Sequence, residues 1–120
     1  MKQLDDRAMD EVARYFGALA VTMRLKILNQ LRGGEMNVGD LARETGCTQA
    51  NVSKHLALLA ANGFVARETR GTSTFYRIAD PAIYRLCDLV CDRIADRYAA
   101  QAAVQEAFVP TARKRTARRR

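Results

Sequence analysis

The stretch NVGDLARETGCTQANVSKHLALLAANG, residues 37–63, decides the fold. Two segments with helical patterns, Val38–Thr45 and a longer one over 48–62, lie on either side of a break at Gly46. Gly63 follows the second segment and ends it. A short helix, a tight glycine turn and a longer second helix predict a helix-turn-helix, in which the second helix enters the DNA major groove. An ordinary helical hairpin of a small bundle is the alternative for this stretch taken alone.

The second predicted helix has one apolar face and one small, polar face. At 100° per residue, Val52, Leu56 and Leu59 fall within one arc. The opposite arc carries short side chains and one cation, which suits an approach to base edges. Glutamine can bond bidentately to adenine, serine to several bases, and lysine to guanine or phosphate, while alanine can meet a thymine methyl group. The predicted DNA contacts of this helix are Thr48, Gln49, Ala50, Asn51, Ser53 and Lys54.

The composition indicates a single small domain with reduced thiols. With 120 residues, 48% of them apolar, the chain can build one core, although a protein of this size often completes it by dimerising. The chain lacks an apolar run near the ~18 residues of a membrane span and a signal-peptide pattern, so we expect a cytoplasmic protein. Three cysteines without the paired spacing of a secreted scaffold indicate free thiols.

The net charge of +7 is concentrated at one end of the chain. Six of the last eight residues are basic, and no acidic residue follows Glu106. We therefore predict a folded domain over 1–108 and a disordered basic tail over 109–120. Within the domain, residues 48–79 carry four basic side chains against Glu68 alone, so the recognition helix and the segment after it form the basic side.

The segment FVARETRGTSTFYRIA, residues 64–79, predicts a β-hairpin directly after the recognition helix. One β-type run begins at Phe64, and a second covers Thr72 to Ile78 with alternating side chains. Arg70-Gly71 between them has turn chemistry. A hairpin at this place is a wing, whose tip contacts the adjacent minor groove or phosphates; a hairpin that only stabilises the fold is the alternative. The predicted wing contacts are Arg67, Arg70, Thr72 and Ser73.

Two helices are predicted before the helix-turn-helix, over 5–19 and 21–31. Apolar residues recur along both at helical spacing, and we expect them to pack in the core. The inward residues of the first are Met9, Val12, Ala13, Phe16 and Leu19, and those of the second are Met23, Ile27, Leu28 and Leu31. The side chains expected to point outward from the second are Arg24, Lys26 and Arg32.

Asp80-Pro81 predicts the start of a long last helix that extends to about Phe108. Its apolar stripe is longer than one small domain can cover, so we predict that it pairs with a symmetry mate. The predicted dimer interface consists of Ile83, Leu86, Cys87, Val90, Ile94 and Tyr98.

The pattern resembles the ArsR family of bacterial winged-helix repressors. The resemblance lies in RLKIL, VGDLA, QANVSKHLALL and GFV and covers about Ala18 to Asp92. It implies a mainly α, winged helix-turn-helix homodimer with terminal helices at its interface, which represses an operator and releases it when an inducer binds. The family's recognition-helix contacts correspond to Gln49, Ala50, Ser53 and Lys54.

The two metal sites familiar in that family are missing from this sequence. Where arsenic- and cadmium-type members carry Cys-x-Cys, this chain has Asn37 and Gly39. Where zinc-type members carry Asp-x-His, Asp80 is followed by Pro81 and Ala82. The single histidine, His55, lies on the flank of the recognition helix nearer the core, and a buried hydrogen-bonding role is favoured over a ligand role.

Cys87 and Cys91 are spaced i, i+4 on the predicted dimer helix, on neighbouring strips of one face. Two such thiols, doubled by symmetry, can bind a soft metal or metalloid or undergo redox chemistry. Packing as small hydrophobic residues is the alternative. We predict no cofactor requirement for DNA binding itself.

The sequence therefore predicts a dimeric repressor that binds an inverted-repeat operator in double-stranded DNA, with a thiol-reactive or soft-metal inducer acting through the two cysteines. A basic architectural protein with little sequence preference is the alternative, suggested by the arginine tail. An enzyme is disfavoured, because the sequence lacks a nucleophile–base pair and a glycine-rich phosphate loop.

Overall fold

The computed structural model describes residues 3–110, which form five helices and a three-stranded antiparallel sheet. The helices are α1 (Asp6–Leu19), α2 (Thr22–Leu31), α3 (Val38–Thr45), α4 (Gln49–Ala61) and α5 (Ala82–Ala107). The strands are β1 (Met36–Asn37), β2 (Val65–Arg70) and β3 (Ser73–Ile78). The predicted class, mainly α with a hairpin wing, is confirmed. The predicted tail lies outside the described residues except for Val109 and Pro110.

The helix-turn-helix is fixed by local hydrogen bonds at its ends. The Asn37 side chain accepts from the Asp40 backbone N–H at 2.8 Å and begins α3, and Thr48 Oγ1 accepts from the Asn51 N–H at 3.2 Å and begins α4. Gly46 closes α3 with a φ of +68°, and a Cβ atom there would meet nothing within 4 Å. Glycine is therefore required by the left-handed backbone and not by crowding.

The core is built from one side of each of α2, α3 and α4 together with the start of the hairpin. Val52, Leu56 and Leu59 of α4 are fully buried, which confirms the apolar arc predicted for this helix. The other buried side chains of this core include Ile27, Leu28, Leu31, Leu41, Phe64, Val65 and Tyr76. Burial of these three α4 side chains leaves the opposite arc of the helix at the surface.

The packing predicted for α1 is wrong at three positions, Met9, Ala13 and Phe16, all of which are exposed. Met9 is 39% exposed and Phe16 is 52% exposed, whereas burial in α1 is confined to Ala18 and Leu19 near its end. Tyr15, which was not in the predicted set, packs its ring 4.8 Å from that of Phe64. A single chain thus buries only the end of α1. The apolar face that the helical spacing predicted to be buried is partly exposed to solvent in one chain.

Arg24 on α2 does not point outward as predicted. Its Nε donates to His55 Nδ1 at 3.2 Å, and its terminal nitrogen donates to the Ala18 carbonyl at 3.3 Å. His55 is half-buried and accepts through Nδ1, so its neutral form carries the proton on Nε2. The structural role favoured for His55 is confirmed, and Arg24 turns inward because two acceptors lie there.

The sheet contains a strand that the sequence patterns did not predict. β1 has only two residues and pairs with β3 through Met36↔Tyr76 and Asn37↔Phe75. β2 pairs with β3 from Val65↔Ile78 to Arg70↔Ser73, so Gly71 and Thr72 form the loop. Gly71 has a φ of +61°, as expected for the first central residue of a two-residue hairpin turn.

The described chain divides into two units between Pro81 and Ala82, so α5 stands as a unit of its own. The helix has 26 residues and a length of about 39 Å. Ile83 is only 1% exposed within one chain, and its place in the dimer interface stays a prediction. Leu86 and Cys87 are half-buried, whereas Val90, Ile94 and Tyr98 are 44–64% exposed.

No helix in residues 3–110 is long and apolar enough to cross a membrane.

Candidate nucleic-acid interface

The polar arc of α4 lies at the surface along the whole first half of the helix. Gln49, Ala50, Ser53 and Lys54 are all exposed, while Val52 between them is fully buried. Thr48 and Asn51 are exposed beside them, although the Thr48 hydroxyl is already engaged as the N-cap. The residues predicted to read DNA therefore form one continuous surface, and the small size of Ala50 and Ser53 leaves the helix axis approachable.

The side chain of Gln49 lies over Gly39 of α3. A Cβ atom at Gly39 would lie 3.7 Å from Gln49 Nε2, 3.8 Å from a terminal nitrogen of Arg43 and 3.4 Å from Asn37 Oδ1. Three polar side chains thus converge around the bare backbone of one glycine. Gly39, which stands where some family members carry a cysteine ligand, thus leaves room for the side chain of Gln49, the first residue of α4.

Arg43 is a member of this surface that the sequence patterns did not reveal. Its guanidinium pairs with Asp40 one turn earlier in α3, and 71% of its side chain remains exposed. Its proximity to Gln49 follows from the way α3 and α4 pack. The sequence of α3 alone indicates only an ordinary solvent-exposed arginine at this position. The signal available in the sequence was its place on the outer face of the first helix of the motif.

The predicted wing contacts do not share one face of the hairpin. Residues paired across an antiparallel ladder point to the same side, so Arg70 and Ser73 lie on one face together with Glu68 and Phe75. Arg67, which pairs with Tyr76, lies on the other. Thr72 belongs to neither face because it is in the turn. Arg67 and Arg70 therefore cannot both face the DNA from the same side of the hairpin.

Arg70 is held by two carboxylates and an aromatic ring. Its two terminal nitrogens donate to Glu35 Oε1 at 2.5 Å and to Glu35 Oε2 at 2.9 Å, and one of them also donates to Glu68 Oε2 at 2.8 Å. The guanidinium carbon lies 4.9 Å from the centre of the Phe75 ring. These hydrogen bonds raise the pKa of Arg70 and, from the other side, hold the pKa of Glu35 below its ordinary value.

The family model for "Bacterial regulatory protein, arsR family" matches residues 23–67, which include α3 and α4. The transcriptional regulator NmtR of Mycobacterium tuberculosis is 40% identical over 85 residues, covering 71% of each chain. A probable mercury resistance operon repressor of Streptomyces lividans is 37% identical over 81 residues, covering 68% of this chain and 62% of that protein.

The chain belongs to the ArsR family. Among solved structures, it resembles the homodimeric winged helix-turn-helix DNA-binding domain of Mb0332 from Mycobacterium bovis, a possible ArsR-family regulator. The sequences are 38% identical, the TM-score is 0.66, and the match covers 80% of this chain and 91% of that one. The winged fold and the family predicted from the sequence are thus confirmed.

As an ArsR-family member, the protein is a DNA-binding transcriptional regulator that acts as a homodimer. This matches the class predicted from the sequence; NmtR is named as a transcriptional regulator and the Streptomyces lividans protein as a probable repressor. The exposed apolar side chains of α1 and α5 are the surfaces of one chain that suit such an assembly.

The two cysteines of α5 differ in exposure. Cys91 is exposed and Cys87 is half-buried, and neither forms a disulfide. Within residues 3–110, no group of three or more histidine, cysteine or acidic side chains is arranged to hold a metal ion. One chain thus places two thiols one helical turn apart on α5.

Proposed function

We propose that this ArsR-family regulator is a repressor that binds an inverted-repeat operator and releases it when a soft metal or another thiol-reactive inducer acts at Cys87 and Cys91. The observation that carries the operator half of the proposal is the exposed polar arc of α4 above a fully buried apolar arc. Two symmetry-related copies of that arc would read half-sites about 34–36 Å apart, or a multiple of that distance.

The effector half of the proposal is supported by the position of the two thiols on the helix. Cys87 and Cys91 are separated by one turn of α5, on the side that also carries Val90 and Ile94. Thiolates prefer soft metals, and the Streptomyces lividans relative is described as a mercury resistance repressor. Binding at this surface can change the geometry of the dimer and so the separation of the two reading helices.

A redox inducer is the second chemistry that these thiols support. Oxidation to a disulfide between Cys87 and Cys91 within one helix would be strained, because the two Cβ vectors do not converge. A disulfide between two copies of the chain avoids that strain. Both chemistries depend on thiolate character and on access, and Cys91 provides the access.

The test is operator binding by the fully reduced protein, repeated with Hg(II), Cd(II), Zn(II), As(III), peroxide and persulfide. We expect one or more of these to release the operator from the wild type and from Cys47→Ser, the matched control. The double variant Cys87→Ser, Cys91→Ser should bind the operator equally well and retain it in their presence. A double variant that responds like the wild type would assign both cysteines to packing.

A footprint of the same complex tests the operator half separately. A protected inverted repeat with defined half-sites is the expected result. Uniform coverage of the duplex would instead support an architectural protein with little sequence preference, since contacts to phosphates alone carry no sequence information.

A further inference from the structure

We infer that Arg70 is a positioning residue that fixes the wing against the start of the helix-turn-helix, with Glu35 as its anchor, and that it does not contact DNA phosphates. The inference rests on the DNA-binding function of the family and is independent of the effector site on α5. It also changes the role expected from the sequence, in which Arg70 was a DNA contact at the wing tip.

The first support is that the hydrogen-bonding capacity of the Arg70 guanidinium is largely taken up. Both terminal nitrogens donate to Glu35 in a bidentate pair, at 2.5 and 2.9 Å, and one also donates to Glu68 at 2.8 Å. One face of the group is covered by the Phe75 ring at 4.9 Å. Planar, forked pairing of this kind is the most geometrically specific contact that arginine makes.

The second support is the charge of this face of the hairpin. Register places Arg77 on the same face as Arg70, and Glu35 and Glu68 balance the two arginines. If Arg70 turned towards a phosphate, it would leave two carboxylates beside the DNA backbone without their principal cation. Arg67 and Arg77 form no ion pair in the described part of the chain. Arg77 shares its face with Glu68 and helps to lower the pKa of Glu35, whereas Arg67 lies on the opposite face, so Arg67 is the wing cation more available to a phosphate.

The third support is where the anchor lies. Glu35 immediately precedes β1, and the second residue of β1, Asn37, is also the N-cap of α3. The Arg70–Glu35 pair therefore connects the last residue of β2, next to the turn, to the segment that starts the motif, across 35 positions of sequence. A wing held in this way keeps a fixed angle to α3 and, through α3, to the reading surface of α4.

The test is the salt dependence of operator binding by the reduced full-length chain without effector. Arg67→Gln should weaken binding and make the slope of log K against log [salt] shallower by about 0.9, the value for a single phosphate that is no longer neutralised. Arg70→Gln should weaken operator binding severalfold with the slope of the wild type. Arg14→Gln is the matched control, because Arg14 forms an exposed pair with Glu11 on α1, and it should change neither quantity.

A double-variant cycle with Glu35→Gln tests the anchor. Glu35→Gln should change operator affinity less favourably in the wild-type background than in the Arg70→Gln background. In the second background the Arg70–Glu35 pair is already lost, so removing Glu35 costs nothing further. The general gain from removing one negative charge is common to both backgrounds and cancels. Hydroxyl-radical footprints should show weaker protection at the operator flanks for both single variants, with the half-site protection retained.

Two results would overturn the inference. One is a shallower salt slope for Arg70→Gln that matches the slope of Arg67→Gln. The other is tighter operator binding by Glu35→Gln only when Arg70 is present, which would mean that Glu35 competes with phosphate for the guanidinium. Thermal melts of each variant identify a folding defect, and Glu68→Gln then provides a second disruption of the same cluster. A failure of the thiol effectors would leave all of these measurements unchanged.

Discussion

Replacing Gly39 with leucine should alter base preference at the operator without altering the fold. Gly39 is in α3, and a Cβ atom there would lie 3.7 Å from Gln49 Nε2 and 3.4 Å from Asn37 Oδ1, which are ordinary contact distances. Alanine is therefore accommodated. Leucine adds further carbon atoms beyond Cβ in the same direction, and they occupy the space that the Gln49 amide now fills.

The expected magnitude follows from what Gln49 loses. A good bidentate pair between a side chain and a base contributes about 1–3 kcal/mol of discrimination, and 1.4 kcal/mol corresponds to a tenfold change in affinity. Displacing Gln49 should reduce the preference for its base by about 5- to 150-fold. Leucine is a better helix former than glycine by roughly 0.5–1 kcal/mol, so the stability of α3 should not fall.

The assay is binding to a panel of operator duplexes that each carry one changed base pair, using Gly39→Leu, Gln49→Ala and the double variant. Both single variants should relax preference at the same position, and the double variant should be no worse than either. Gly17→Leu is the matched control, because a Cβ atom at Gly17 in α1 would meet nothing within 4 Å. Additive losses, or a Gly39→Leu protein with unchanged preference, would refute the reasoning.

Three further outcomes are expected. Ser53→Ala should cost roughly 1–3 kcal/mol in specific binding and relax a different operator position, measured on the same duplex panel. Val90→Asp places a charge at a 47% exposed apolar position of α5 and should dissociate the dimer, measured by sedimentation at micromolar concentration, with tight operator binding lost. Truncation after Phe108 should weaken binding to operator and to random duplex by similar factors and make both salt slopes shallower, by up to about 0.9 for each phosphate that the tail had neutralised.

The helix-turn-helix was predictable because its signals are local. Asn37 and Thr48 cap the helices that follow them, and Gly46 has the left-handed backbone that its place between two helical patterns indicated. The predicted limits of α3 agree with the structure, and those of α4 agree to within one residue at each end. Capping and helical spacing act within a few residues, so a single sequence contains them.

The features that were missed depend on residues far apart in the chain. Arg24 and His55 are 31 positions apart, and nothing near Arg24 indicates that its partner lies inward. β1 has two residues, too few to show alternation, so its pairing with β3 and the approach of Glu35 to the wing were invisible. The exposure of α1 was missed for a related reason. Helical spacing predicts that Phe16 is buried, but it does not indicate whether the residues that pack against it belong to the same chain.

The distribution of uncompensated charge follows from these distant contacts. Counted over residues 48–79, the basic side has four cations and one acid, but the sheet brings Glu35 into that surface from outside the window. Arg70 is then balanced, which leaves Lys54 on α4 and Arg67 and Arg77 on the hairpin as exposed cations that form no ion pair with a carboxylate in residues 3–110. The last eight residues carry six cations, twice as many. Long-range attraction to DNA should therefore depend mainly on the tail, while the folded body supplies the reading surface, so truncation should slow association more than it speeds dissociation.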